Sequence, residues 1–167
     1  MPHHLRNILA VVSLLGIVAC DRAPSSEPSS PLHGVWSMTA SDLGDGTAVI
    51  DPSQPGIYIF TEGYYSGVYA PLAELRVPSE VPFQPTNEEM VAQYESIIVN
   101  TGTYETSGST VTFRPILAKS PGFVGGSSTA TFTVEGNTLT LEWLTVESSD
   151  GVSAPDVAGS LTFQRVE

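Results

Sequence analysis

The chain is poor in cysteine, histidine and positive charge, and each shortage removes a class of function. Its 167 residues hold one cysteine, Cys20, and three histidines. A lone cysteine leaves no internal disulfide, so the fold has to stabilise itself by burying apolar surface. Six Lys and Arg stand against eighteen Asp and Glu, a formal net charge of −12. Such a surface repels the phosphate backbone that supplies most nucleic-acid affinity, and it repels anionic lipid headgroups as well. Nucleic acid is therefore not an expected partner, and any membrane attachment has to come from apolar insertion or a covalent lipid. Charged residues make up only 14% of the chain, while Gly numbers 15 and Pro 13, a balance that fits a turn-rich β protein better than a helical bundle.

The longest apolar run lies near the start. Residues 1–6 carry His3, His4 and Arg6, and Ile8 to Ala19 is apolar apart from Ser13 and Gly16. A comfortable membrane span needs about 20 apolar residues, so 1–19 reads as a secretory signal peptide rather than a transmembrane helix. Ile17-Val18-Ala19-Cys20 resembles the bacterial lipobox. The resemblance implies cleavage before Cys20 and lipidation of that cysteine with two or three acyl chains such as palmitate. Several chains anchor durably where one binds only marginally. The expected location is the cell envelope, with a lipid anchor in a membrane and the domain facing the periplasm or the outside. Asp21 resembles an inner-membrane retention signal of some Gram-negative bacteria, a rule that varies between lineages, so both membranes stay open. Residues 20–31, rich in Pro and Ser, read as a lipidated tether.

The folded domain is expected over 32–167. There the side-chain period is two: Trp36 and Met38, Val111 and Phe113, Phe132 and Val134, and Leu139, Leu141 and Trp143 all alternate with polar neighbours. Glu62-Gly63, Ser107-Gly108 and Gly136-Asn137 supply hairpin turns. The pattern predicts about eight strands, near 35–41, 56–61, 64–70, 100–106, 110–117, 129–135, 138–147 and 159–166. One helix interrupts them, over 87–97. Thr86-Asn87-Glu88-Glu89 fits a capping box, and Met90, Tyr94, Ile97 and Ile98 recur at helical spacing, which predicts an apolar face packed on the sheet or a barrel mouth. The Pro-rich stretch from Pro71 to Pro85 predicts a surface excursion.

Several of these pieces, in this order, resemble the lipocalin-like domains of bacterial proteins. They are Gly34-Val35-Trp36, the Phe60 to Tyr65 hairpin, the Glu88-Glu89 helix, Thr101-Gly102-Thr103-Tyr104, the Gly136 to Leu141 hairpin and the last strand ending in Arg165. The resemblance implies an all-β fold, an antiparallel barrel of eight to ten strands with one short helix. It also implies that Arg165, which strand parity places on the apolar row with Leu161 and Phe163, lies across Trp36 and closes one end of the barrel.

No catalytic constellation emerges, and neither a metal nor a cofactor is expected. His33 is the one histidine beyond Cys20, with no nucleophile motif beside it. Glu88 and Glu89 suit a helix start better than acid–base work, because adjacent helical residues diverge. Gly122 to Ser128 lacks the lysine of a phosphate-binding loop. Arg114 and Lys119 could hold an anion at a barrel mouth, although parity puts Arg114 on the wet face. Tyr58, Tyr64, Tyr65, Tyr69, Tyr104 and Trp143 are the candidate ligand-lining residues; Tyr94 belongs to the same tyrosine set. The leading expectation is an envelope lipoprotein that is not an enzyme and whose barrel takes up a small apolar molecule. The alternative is a structural or interaction lipoprotein with a filled barrel; its protein partner is not legible in the sequence.

Overall fold

The computed structural model describes residues 30–42, 44, 54–155, 157 and 159–167. The expected signal peptide, Cys20 and most of the expected tether fall outside the described residues. Eight antiparallel strands pair in chain order and close β8 back onto β1. They are β1 Gly34–Asp42, β2 Gly56–Phe60, β3 Tyr64–Tyr69, β4 Ile98–Ser107, β5 Thr110–Ala118, β6 Ser127–Glu135, β7 Thr138–Glu147 and β8 Ser160–Arg165, with one helix, α1 Asn87–Glu95, between β3 and β4.

The strands form where β-branched and aromatic residues alternate with threonine and serine, and they stop at glycine turns. Gly108 and Gly136 open two-residue turns with φ of 59° and 60°, conformations that cost a residue with a Cβ. Together with the turn at 61–63 they make one end of the barrel tight. The connections at the other end, 43–55, 70–97, 119–126 and 148–159, are all long. A closed barrel leaves no strand edge free, and its interior is the core. Trp36, Tyr58, Phe60, Phe113, Leu139, Leu141 and Phe163 are buried there.

Bulges adjust the pattern at three places, in β1, β5 and β7. In β1 the ladder to β8 shifts between Met38 and Ala40, and the buried residue that follows Met38 is Ser41.

The helix differs from expectation. Its capping box is complete: the Thr86 hydroxyl accepts from the Glu89 amide and the Glu89 carboxylate accepts from the Thr86 amide. It ends two residues early, however, because the β-branched run Ile97-Ile98-Val99 favours extended backbone and Ile98 opens β4. No helix residue is buried, and Met90 and Tyr94 are about half exposed. The apolar face expected to pack on the barrel therefore does not. The 71–76 stretch is held instead by buried Gln54, whose amide donates to the carbonyls of Leu72, at 3.0 Å, and Glu74. Among the described residues no helix is long and apolar enough to cross a membrane.

Candidate functional site

The tight end of the barrel is plugged. Trp36 and Arg165 face each other directly in the β1–β8 ladder, so their side chains share the inner face. The Arg165 guanidinium lies over the indole, 4.0 Å from the ring centroid. One guanidinium nitrogen donates to the Pro31 carbonyl at 2.9 Å and the other to the His33 carbonyl. The Trp36 indole nitrogen donates to the Leu32 carbonyl at 2.7 Å. Residues 31–33 are thus drawn across the barrel end by donors from the first and last strands. His33 takes part through its backbone and lies in no cluster of ligating side chains; no group of three or more His, Cys, Asp or Glu that could hold a metal occurs among the described residues.

Above the plug the interior is filled with rings. Tyr58 packs 5.3 Å from Phe163 and 5.7 Å from Phe60, and Tyr65 packs edge-on to Phe113 at 4.8 Å. The distal end of the Tyr58 ring lies over Gly67, where an added Cβ would run into Cζ. Burial, together with the neighbouring Tyr69 and Tyr65 phenols, pushes the Tyr58 phenol well above its ordinary range. Burial raises Tyr65 as well and pushes Tyr69 up to about 12.

The wide end is open. A cavity of about 570 Å³ lies among the ends of β3, β4, β6 and β7 and the connections 119–126 and 148–159. Its apolar wall comes from Ile98, Phe123, Trp143, Val146 and Val152, and its polar groups include Tyr69, Asn100, Lys119 and Ser128. Lys119 is clasped to the helix: its ammonium donates to the Tyr94 carbonyl at 3.1 Å and sits 4.7 Å over the Tyr94 ring, while the Tyr94 hydroxyl donates to the Lys119 carbonyl at 3.2 Å. A second cavity, about 550 Å³, lies outside the barrel wall beneath the β3–α1 connection and shares Tyr69.

The six candidate lining residues separate into four positions. Tyr69 and Trp143 line the mouth, and Tyr58 and Tyr65 lie buried in the ring-filled core. Tyr104 lies at the plugged end, edge-on to Phe60 and donating to the Thr61 carbonyl at 3.1 Å, away from the mouth. Tyr64 stands on the outer wall, 58% exposed, because its neighbour Tyr65 takes the inward position. Arg114 is also on the outer wall, in an exposed ion pair with Glu105 at 2.8 Å that contributes little. Glu89 is occupied at the helix start, where amides of Thr86 and Glu80 hold its carboxyl below the usual carboxylate range. Asn100 and Ser128 are mouth residues that strand patterning did not single out. Ser128 could have been found, since it continues the inward row of Ala130 and Phe132.

No protein-family model matches the chain, and no curated protein matches it. Among solved structures, a lipocalin-like protein from Bacteroides uniformis aligns at 15% identity over 81% of this chain and 98% of that one, with a TM-score of 0.45. A superposition that loose assigns no family.

Proposed function

We propose that the chain is an envelope lipoprotein, anchored through Cys20, whose barrel takes up a small apolar molecule through its open mouth. One observation carries the binding reading: one end of the barrel is plugged by Arg165 and Trp36, while the other holds a cavity of about 570 Å³ walled largely by apolar side chains. Pockets of roughly 300 to 1,000 Å³ suit small ligands. No group in the described residues suggests chemistry on the ligand, so the role is binding rather than catalysis. Native mass spectrometry of the protein extracted from its own membrane tests this, and a co-purifying small apolar molecule is the expected result. A bare protein from every extraction would refute it.

The anchor is tested separately. Cys20→Ser should release the domain into the soluble fraction or leave the precursor uncleaved, because no other feature of the sequence attaches it durably. Unchanged, detergent-dependent membrane fractionation would refute the anchor.

A second reading, an interaction protein, is favoured by the ring-filled lower half of the barrel and by Leu75, Val77 and Phe83, which stand exposed on the β3–α1 connection. Loss of a cross-linked partner on Leu75→Ser/Phe83→Ser, with ligand binding unaffected, would support it.

A further inference from the structure

The mouth is largely apolar along its wall but also carries polar side chains. Ser128 lines the cavity while only 3% exposed, and it stands in β6 one inward position from buried Ala130. Tyr69 and Asn100 line the same cavity. The strand register puts Asn100 on the same inward face as the buried interior. Going round the barrel, Trp36 pairs with Tyr58, Tyr58 with Gly67 and Gly67 with Asn100. Among the described residues, the Ser128 hydroxyl, the Tyr69 hydroxyl and the Asn100 amide make no hydrogen bond. Buried polar groups of native proteins are normally satisfied, and leaving one without a partner is costly. A purely apolar ligand would cover these groups and satisfy none of them.

We infer that the mouth takes an uncharged, oxygen-bearing apolar molecule, such as a long-chain ketone, ester or alcohol, with its oxygen on Ser128, Tyr69 and Asn100 and its hydrocarbon along Trp143 and Val146. The inference rests on the reading of the mouth as a ligand site. Serine and tyrosine hydroxyls and an amide NH₂ all donate to a carbonyl oxygen, and a ligand hydroxyl can both donate and accept. A carboxylate fits less well there. The same desolvation that keeps Tyr65 and Tyr69 protonated opposes a buried anion. Lys119, the one Lys or Arg among the described residues that line the cavity, is already held by Tyr94. The net charge of −12 disfavours an approaching anion as well.

The test uses residues 21–167, which include every strand of the closed barrel, in detergent-free buffer. Three probes with one chain length are titrated against tryptophan emission, which Trp143 at the cavity wall reports: a twelve-carbon methyl ketone, the matching alkane and the matching carboxylate. The ketone should bind about five- to tenfold more tightly than either of the others, the increment expected of one net neutral hydrogen bond. Ser128→Ala/Tyr69→Phe, which keeps the shape of both side chains, should erase that preference and leave the alkane unchanged. Equal binding of ketone and alkane, or tighter binding of the carboxylate, would overturn the inference while leaving the mouth a ligand site. If none of the three binds, the ligand-site reading falls with it.

Discussion

Replacing Arg165 tests the plug on which the asymmetry of the barrel depends. The side chain makes three favourable contacts: the guanidinium over Trp36 at 4.0 Å, a hydrogen bond to the Pro31 carbonyl at 2.9 Å and another to the His33 carbonyl. A partly exposed cation–π contact contributes about 1 kcal/mol, and a hydrogen bond from a charged donor about 1.5 kcal/mol at the lower end of its range. Against these stands about 1.5 to 2 kcal/mol of side-chain freedom recovered when the long arginine is removed. Arg165→Ala should therefore cost about 2 kcal/mol, which lowers the Tm of a domain of this size by about 6 to 10 °C. Arg165→Lys should recover less than half, since an ammonium cannot lie flat on the indole and reach two carbonyls at once. Thermal unfolding followed by tryptophan emission reads both variants, and Trp36 should also become more accessible to a soluble quencher in Arg165→Ala. An unchanged Tm and unchanged quenching would mean that the guanidinium is simply solvated, and the plug argument would fail.

Three further outcomes follow from the interior and the helix. Gly67→Ala should destabilise by about 1 to 3 kcal/mol, because the new Cβ clashes with the Tyr58 ring and that ring is packed against Phe60 and Phe163. Combining it with Tyr58→Leu should cost less than the two changes summed, and strict additivity in urea unfolding would contradict the contact. Tyr58, Tyr65 and Tyr69 are held protonated by burial, so the stability they contribute is intact below about pH 10, their unfolded value, and is lost as pH climbs through about 12, the folded value for Tyr69. Phenolate absorbance should accordingly rise together with unfolding; a full rise in a still folded barrel would refute the burial argument. Thr86→Ala removes the helix cap, yet the helix buries none of its residues, so amide exchange in 87–95 should accelerate while global unfolding barely moves. A global loss above about 1 kcal/mol would mean that the helix supports the barrel.

Strand patterning was enough for the barrel but only partly for the site. The eight strands were legible because each carries its own alternation, and the turns because Gly63, Gly108 and Gly136 stand where left-handed backbone is needed. Parity placed Trp36 and Arg165 on inward rows of the first and last strands, but their pairing was expected from the lipocalin-like resemblance and not from patterning. The helix face misled. Met90 and Tyr94 repeat at helical spacing, but spacing alone does not say that a surface waits to receive them, and Ile97-Ile98 belonged to a strand. The tyrosines misled in a different way. A period of two says which residues share a face without saying which face is inside, so Tyr64 and Tyr65 could not be told apart until the pairing was known.

The chain by itself therefore determined the local levels: where strands run, where glycine turns them, and that one short helix is capped at Thr86. Tertiary structure decided the rest. In β2, Gly56-Ile57-Tyr58-Ile59-Phe60 is apolar beyond its glycine, and only its pairing with Gly67 on β3 turns Tyr58 and Phe60 inward and leaves Ile57 and Ile59 on the wall. In β1, a bulge that no local pattern announces carries Ser41 into the interior. The mouth gathers Tyr69, Asn100, Ser128 and Trp143 from four strands far apart in the chain. Their proximity follows from closure of the sheet, a long-range property that no local window of sequence contains.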